Sequence, residues 1–235
     1  MKFTKLSLVA ALAVSSAFAG GDIAPAEPVV VEAPVAEESA FEVSANLAIT
    51  SNYVWRGMTQ TANSPAVQGG IDLGYKGFYL GAWGSNISWT NDDRSSVELD
   101  GYLGYAGEVA GIGFDIGYIL YAYPNVNDVN QFDEAYAGLS YDWTSFGVSG
   151  KYSFGVDSNI DTPDYWELGA TAKLPWEVTL AAGYGDYDTI GTNYIVSLAK
   201  SWGKFEFSVA YTDFSSDASS IYDEDHIIGT VSTSF

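Results

Sequence analysis

The chain has 235 residues, with 30 acidic side chains against 9 basic ones and one histidine, for a formal charge of -21. That balance excludes nucleic acid as a partner, because affinity for a phosphate backbone comes from Lys and Arg. The absence of cysteine excludes disulfides and Cys-based zinc or redox sites. Aromatics reach 15% and charged residues only 17%, below the roughly 25% of soluble domains, so neither an ordinary α/β enzyme nor a disordered acidic chain fits.

Residues 1–19 read as a secretory signal peptide. Lys2 and Lys5 form the basic start, Leu6 to Val14 an apolar run too short for a membrane helix, and Ala17-Phe18-Ala19 a small-x-small cleavage site. Cleavage would remove both lysines and move the formal charge from -21 to -23. Residues 20–40 carry three prolines, five acidic residues and no aromatic. That composition predicts a disordered periplasmic tail.

From residue 41 to 235 the hydrophobic period is two. Phe41, Val43, Ala45, Leu47 and Ile49 alternate with polar or small neighbours. The same beat returns at Val97/Leu99/Leu103, Phe146/Val148/Tyr152, Trp166/Leu168/Ala170, Val178/Leu180/Ala182 and Phe205/Phe207/Val209. Such alternation predicts strands with one apolar and one polar face. About twelve are expected, near 41–54, 66–75, 78–88, 96–106, 111–122, 133–142, 145–155, 165–174, 177–186, 193–201, 204–213 and 225–235, each close to the length that crosses a bilayer at a tilt. In the third, Phe78/Leu80/Ala82 and Trp83/Ile87/Trp89 lie on opposite faces, which predicts a change of orientation at a bulge.

Short turns at Lys76-Gly77, Asp142-Trp143-Thr144, Pro175-Trp176 and Gly203 alternate with longer polar loops at 56–65, 89–95, 124–132, 156–164, 187–192 and 214–224. Tight turns on one side and long loops on the other are the pattern of outer-membrane barrels. Aromatics mark both boundaries: Tyr75, Phe78, Tyr141, Trp143, Phe146, Trp176, Trp202 and Phe205 at the short turns, and Tyr53, Trp55, Trp89, Tyr123, Phe154, Trp166, Tyr184, Tyr194 and Tyr211 towards the loops. The expected fold is all-β, a closed antiparallel transmembrane β-barrel of about twelve strands. Closure is required because hydrocarbon offers an open edge no hydrogen-bond partner.

The stretch Ser51-Asn52-Tyr53-Val54-Trp55-Arg56-Gly57-Met58-Thr59-Gln60-Thr61 resembles the opening signature of the TorF family of porins. Pro65 to Gly70, Gly77 to Asn86, Glu98-Leu99-Asp100, Tyr123-Pro124 and Glu134 to Tyr141 continue the likeness. Terminal Phe235, after alternating Val231 and Thr233, is similar to the end signal of outer-membrane barrels. The resemblance implies an outer-membrane porin whose solute is undefined, and a partnership with the barrel-assembly machinery through Phe235.

If the apolar face meets lipid, the other lines the lumen. Glu42, Asp72, Glu98, Asp100, Asp115, Glu134, Glu167 and Glu206 are then expected inside, facing Arg56, Lys151 and Lys173. A wall dominated by carboxylates favours cations, and Asp92, Asp93, Asp128, Asp157, Asp161, Asp217, Asp223 and Glu224 add an acidic mouth. The expected function is passive diffusion of small hydrophilic solutes through a narrow, cation-preferring channel, with outer-membrane lipid as the surrounding partner. The alternative is a non-conducting structural, adhesin or receptor barrel in which inward Tyr102, Tyr121 and Tyr136 plug the middle. No enzyme, metal or cofactor is expected. His226 beside Asp225 lacks a positioned partner, and Asp223-Glu224-Asp225 lacks the spacing of a calcium loop. Gly183-Tyr184-Gly185 and Gly111-Ile112-Gly113 open no helix that could cradle phosphate.

Overall fold

Alternation becomes closure in the computed structural model, which describes residues 41–89, 96–124, 131–156 and 162–235. The signal peptide expected at 1–19, the tail at 20–40 and loop acids Asp92, Asp93, Asp128, Asp157 and Asp161 lie outside the described residues. In chain order the strands are β1 (Phe41–Thr50), β2 (Val54–Trp55), β3 (Met58–Thr59), β4 (Ala66–Tyr75), β5 (Phe78–Asn86), β6 (Val97–Val109) and β7 (Ile112–Ala122). They continue with β8 (Phe132–Asp142), β9 (Phe146–Gly155), β10 (Tyr165–Leu174), β11 (Val178–Tyr187), β12 (Gly191–Trp202), β13 (Phe205–Ser216) and β14 (Glu224–Ser234). β1 and β4–β14 form one closed antiparallel barrel of twelve strands, and β2 and β3 pair separately as a small hairpin.

The ring closes between the first and last strands. Asn46 to Thr50 pair with Ser234 to Thr230, and Ala45 and Phe235 exchange both backbone bonds at 3.2 and 2.9 Å. The final residue is therefore part of the seam.

Exposure follows the alternation. Val67/Ile71/Leu73 on β4, Leu99/Leu103 on β6, Val196/Leu198 on β12 and Phe207/Val209 on β13 face outward and are exposed, while their neighbours are covered. An outward apolar belt of this size on a closed barrel is a lipid-facing surface. Phe41 stacks on Tyr75 and Trp143 on Phe146, with centroids 4.6 and 4.1 Å apart, as a ring at the turn end. Tyr152, Phe154, Tyr184, Tyr194 and Tyr211 are exposed towards the loop end.

The two-residue turns at Lys76-Gly77 (51° and 88°) and Ala110-Gly111 (55° and 84°) have both central residues at positive φ. This is the turn whose twist matches a two-residue hairpin. The expected loop at 187–192 contracts to Asp188, Thr189 and Ile190, because β12 already begins at Gly191.

The structure corrects three expectations. The first strand ends at Thr50, not residue 54, because Ser51 caps the seam by bonding Gly229 in both directions and the chain then turns into the lumen. β5 has no bulge: its register runs unbroken from Tyr75↔Phe78 to Gln68↔Ser85, and from Phe78↔Tyr105 to Asn86↔Val97. Trp83 simply faces inward, where it meets an apolar partner. Tyr53, Trp55, Trp89 and Tyr123 do not join the loop-end girdle; they lie in or against an aromatic cluster inside the barrel.

Leu103 sits midway along β6 and points outward, so the belt can be tested there. Leu103→Arg is expected to lower stability by about 2–4 kcal/mol, read by urea unfolding in lipid vesicles, with Leu103→Ile close to unchanged. Equal stability of the arginine variant would contradict a lipid-facing β6.

Candidate functional site

The first loop, residues 51–65, folds into the lumen as an extended segment whose alternate residues meet opposite walls. Tyr53 and Trp55 turn towards β5–β8 and join a cluster with Ile87, Tyr102, Ile119, Tyr121 and Tyr123. Val54, between them, packs with Ile195, Ala210 and Ile228 on the far wall. The strand-like period therefore continues, but both faces of the segment are now covered by the barrel's interior.

Polar contacts fix its depth. Buried Tyr53 donates its hydroxyl to Glu98 Oε1 at 2.9 Å. The Thr59 amide donates to Glu224 Oε2, the same carboxylate oxygen that meets His226 Nε2 at 2.8 Å. Trp89 Nε1 donates to Gln60 Oε1. Asn52 Oδ1 accepts from both Thr59 and Thr61 hydroxyls, tying the two legs of the loop together.

At the tip, β2 and β3 join through Arg56 and Gly57, at φ 47° and 84°. That turn aims the Arg56 side chain across the lumen. Its two terminal nitrogens donate to Glu134 Oε1 and Oε2 at 2.9 and 2.7 Å, with both side chains 1% exposed. The guanidinium also lies 4.2 Å from the Trp55 ring centroid, 4.0 Å from Tyr165 and 4.7 Å from Tyr187. A bidentate pair among aromatic faces is the geometry that suits arginine rather than lysine. Gly57 is held so closely that a Cβ there would fall 2.8 Å from the Cβ atoms of Asn193 and Phe214.

Below the loop, inward tyrosines lie flat along the wall. Tyr102 faces Gly81, Tyr79 faces Gly104 and Tyr136 faces Gly117 in the strand register. A Cβ on any of these glycines would come within 2.4 Å of the opposing ring or hydroxyl. The bare backbone is what lets each ring cover its neighbour. The hydroxyls then reach carboxylates: Tyr102 donates to Asp72, Tyr79 donates to Asp115 at 2.7 Å, and Tyr136 bonds Tyr79.

The sequence-selected charges divide into groups. Arg56 and Glu134 form one buried pair; Lys151 and Glu167 form a half-buried one at 3.2 Å. Asp72, Glu98 and Asp115 are each held by a tyrosine hydroxyl. Asp100 is buried with neither carboxylate oxygen in a well-formed hydrogen bond, and Asp72 Oδ2 and Gln68 Nε2 are likewise without one among the described residues. Buried polar groups of that kind are the ones that ordered water satisfies. Glu42, Lys173 and Glu206 occupy inward positions near the turn end, where they are half-buried or exposed. His226 and Asp225 are consecutive on β14, so they point to opposite faces, and the partner of His226 is Glu224, two residues away on its own face. No group of three metal-ligating side chains occurs among the described residues.

Sequence reasoning selected Arg56 and Glu134 separately and missed Trp55, Tyr165 and Tyr187 as their company. The available signal was Trp83, Ile87 and Trp89, three apolar residues on the polar face of one strand.

A closed twelve-stranded barrel with a belted outer wall and a first loop buried in its lumen places the chain among barrels of the outer-membrane type. The chain belongs to the family described as "Bacterial protein of unknown function (Gcw_chp)", which it matches over residues 35–233. No curated protein sequence matches it. Among solved structures it is similar to the KdgM porin at 11% identity, TM-score 0.58, over 82% of this chain and 98% of that one. It is also similar to the KdgM porin in complex with disordered oligogalacturonate, at 10% identity and TM-score 0.56, over 82% and 97%. A third similar structure is the Salmonella typhi outer membrane phospholipase dimer with bound calcium, at 16% identity and TM-score 0.52, over 81% and 90%. At these identities the likeness is one of fold.

Removing the Tyr53 hydroxyl leaves a buried Glu98 oxygen unsatisfied, so Tyr53→Phe is expected to cost about 1–3 kcal/mol in vesicle unfolding. Tyr152→Phe, which removes an exposed hydroxyl from Asp164, should leave stability unchanged. Equal effects of the two would mean that the loop is not seated as described.

Proposed function

We propose that the protein is an outer-membrane channel for passive diffusion of small hydrophilic solutes, narrowed by its own first loop and preferring cations. The observation that carries this reading is the two-part lumen. The loop end is filled by residues 51–65. Towards the turn end, the β1 and β10–β14 side presents Ser44, Asn46, Thr171, Thr179, Ser208, Thr230 and Ser232 at inward positions, all partly exposed. A small, hydroxylated, partly wetted wall facing buried carboxylates is a water path, not a dry core.

Cation preference rests on what remains after pairing. Arg56 and Lys151 are each matched by a glutamate, while Glu42, Asp115 and Glu206 outnumber Lys173 at inward positions towards the turn end. Fixed negative charge on a low-dielectric wall raises the local concentration of cations. The segment that resembles TorF-family porins, Ser51 to Thr61, is the lumen loop itself, which supports placing the chain with those porins. Export through a cleaved signal peptide and assembly through Phe235 complete the outer-membrane reading. The phospholipase likeness adds no catalytic reading, since the partner of His226 is a carboxylate already engaged by the loop.

The test is planar-bilayer recording in a salt gradient. Wild-type protein should conduct with a reversal potential of the cation-selective sign. The triple variant Glu42→Gln/Asp115→Asn/Glu206→Gln should shift that potential towards zero. Anion selectivity ends the charge argument, and absence of current in every form favours the non-conducting barrel.

A further inference from the structure

Most of the box around Arg56 is built by the barrel and not by the loop. Glu134 comes from β8, Tyr165 from β10 and Tyr187 from β11; only Trp55 travels with Arg56. Tyr165 and Tyr187 are directly opposed in the strand register, and their rings stand at 85° with centroids 5.9 Å apart. Tyr165 is further fixed by its hydroxyl, which donates to Asn193 Oδ1 at 3.2 Å. If the loop tip withdrew, the wall would still present a carboxylate with two free-facing oxygens and two perpendicular aromatic faces. That is a receptor for a planar cation carrying parallel N–H groups.

We propose that this wall is a binding site for solutes bearing a guanidinium group, and that Arg56 is a tethered occupant which such a solute displaces to withdraw the loop tip and widen the pore. The proposal rests on the channel reading given above. Guanidinium is specified over ammonium because each Glu134 oxygen takes one N–H, at 2.9 and 2.7 Å, while its central carbon lies 4.0 and 4.7 Å from the ring centroids of Tyr165 and Tyr187. An ammonium has no plane to stack and no fork to match two oxygens.

The tether sets the working range. A group held on a short loop competes at an effective concentration of about millimolar or more, so a free solute must reach that level. The Arg56-Gly57 turn also has a seat of its own, since Gly57 packs against Asn193 and Phe214 and Val54 packs on the far wall. Displacement of Arg56 must therefore also unseat Gly57 for the tip to lift from β8, β10 and β11, while residues 51–54 stay anchored at Glu98 and the seam. Weak, competed binding is also what a conducting site requires, because tight binding would stop release.

The experiment uses the whole chain in planar bilayers, with L-arginine as probe and L-citrulline and L-lysine at matched ionic strength as controls. L-arginine at about ten millimolar or above is expected to raise conductance several-fold, and the two controls to leave it unchanged. Arg56→Ala should conduct at the raised level without arginine and should bind L-arginine at least about ten-fold more tightly by calorimetry, since its intramolecular competitor is gone. In the Arg56→Ala background, Tyr165→Leu should weaken L-arginine binding at least about ten-fold by calorimetry, because one aromatic wall of the site is gone. Equal action of arginine and citrulline on wild-type protein overturns the proposal without recourse to any variant, as does unchanged arginine affinity in Arg56→Ala. A total lack of current in all forms defeats the channel reading instead, and calorimetry of arginine against citrulline then judges the site alone.

Discussion

Every other feature depends on the requirement that backbone N–H and C=O groups in hydrocarbon find partners within the chain. Twelve strands meet it only as a ring, and the ring is closed by a short seam, five paired positions and the two backbone hydrogen bonds between Ala45 and Phe235. Once the seam is made, each strand must give one face to lipid and one to the lumen. The outward side chains become the belt. The inward ones are confined to a space too narrow for bulk water around every polar group, and that confinement decides the interior.

The barrel resolves the confinement differently on its two sides. Between β4 and β8, glycines opposite tyrosines let the rings lie along the wall, so bulk is added without blocking the axis. Their hydroxyls satisfy carboxylates that would otherwise be buried charges. On the β10–β14 side the inward positions are mainly Ser, Thr, Ala and Gly, which add little bulk. The asymmetry leaves room for an extra segment, and the first loop occupies it at one end. Tyr53, Val54 and Trp55 fit because the loop keeps a strand's alternation while walls of different chemistry stand on either side.

The strands were legible because period two repeats in every segment and lipid tolerates no exception on the outer face. Two of the turns were legible from Gly positions. The inward fold of the loop was not, because Tyr53 and Trp55 have the composition of girdle residues. An aromatic at a membrane boundary and an aromatic just inside the barrel rim look alike in sequence. Trp83, Ile87 and Trp89 were the discriminating residues. Apolar side chains on a lumen face either change sides at a bulge or have something to pack against, and the unbroken register of β5 selects the second. Arg56 and Glu134 were legible as inward charges, but 78 residues separate them, and no local rule joins positions on a loop and on β8. Likewise His226 was paired in sequence with its neighbour Asp225, whereas alternation along β14 sends the two apart and gives it Glu224.

The chemistry chosen for the loop tip bears on what the loop is for. A plug meant only to stay in place would be best held by apolar packing, because a buried ion pair adds little over hydrophobic residues of similar volume once desolvation is counted. Residues 53–55 pack in that way, yet at the very next residue the tip of the loop makes a bidentate pair with both partners 1% exposed. Such a pair is weak as glue but demanding in geometry: it is satisfied in one position and costly when a single partner is left alone. It therefore defines two discrete states, seated with Glu134 answered by Arg56, or lifted with Glu134 answered by some other cation. An apolar tip would have no comparable second state, and a lysine would lack the fork that the two Glu134 oxygens receive. The anchored leg fixes where the loop is, and the arginine fixes the condition under which its tip can leave.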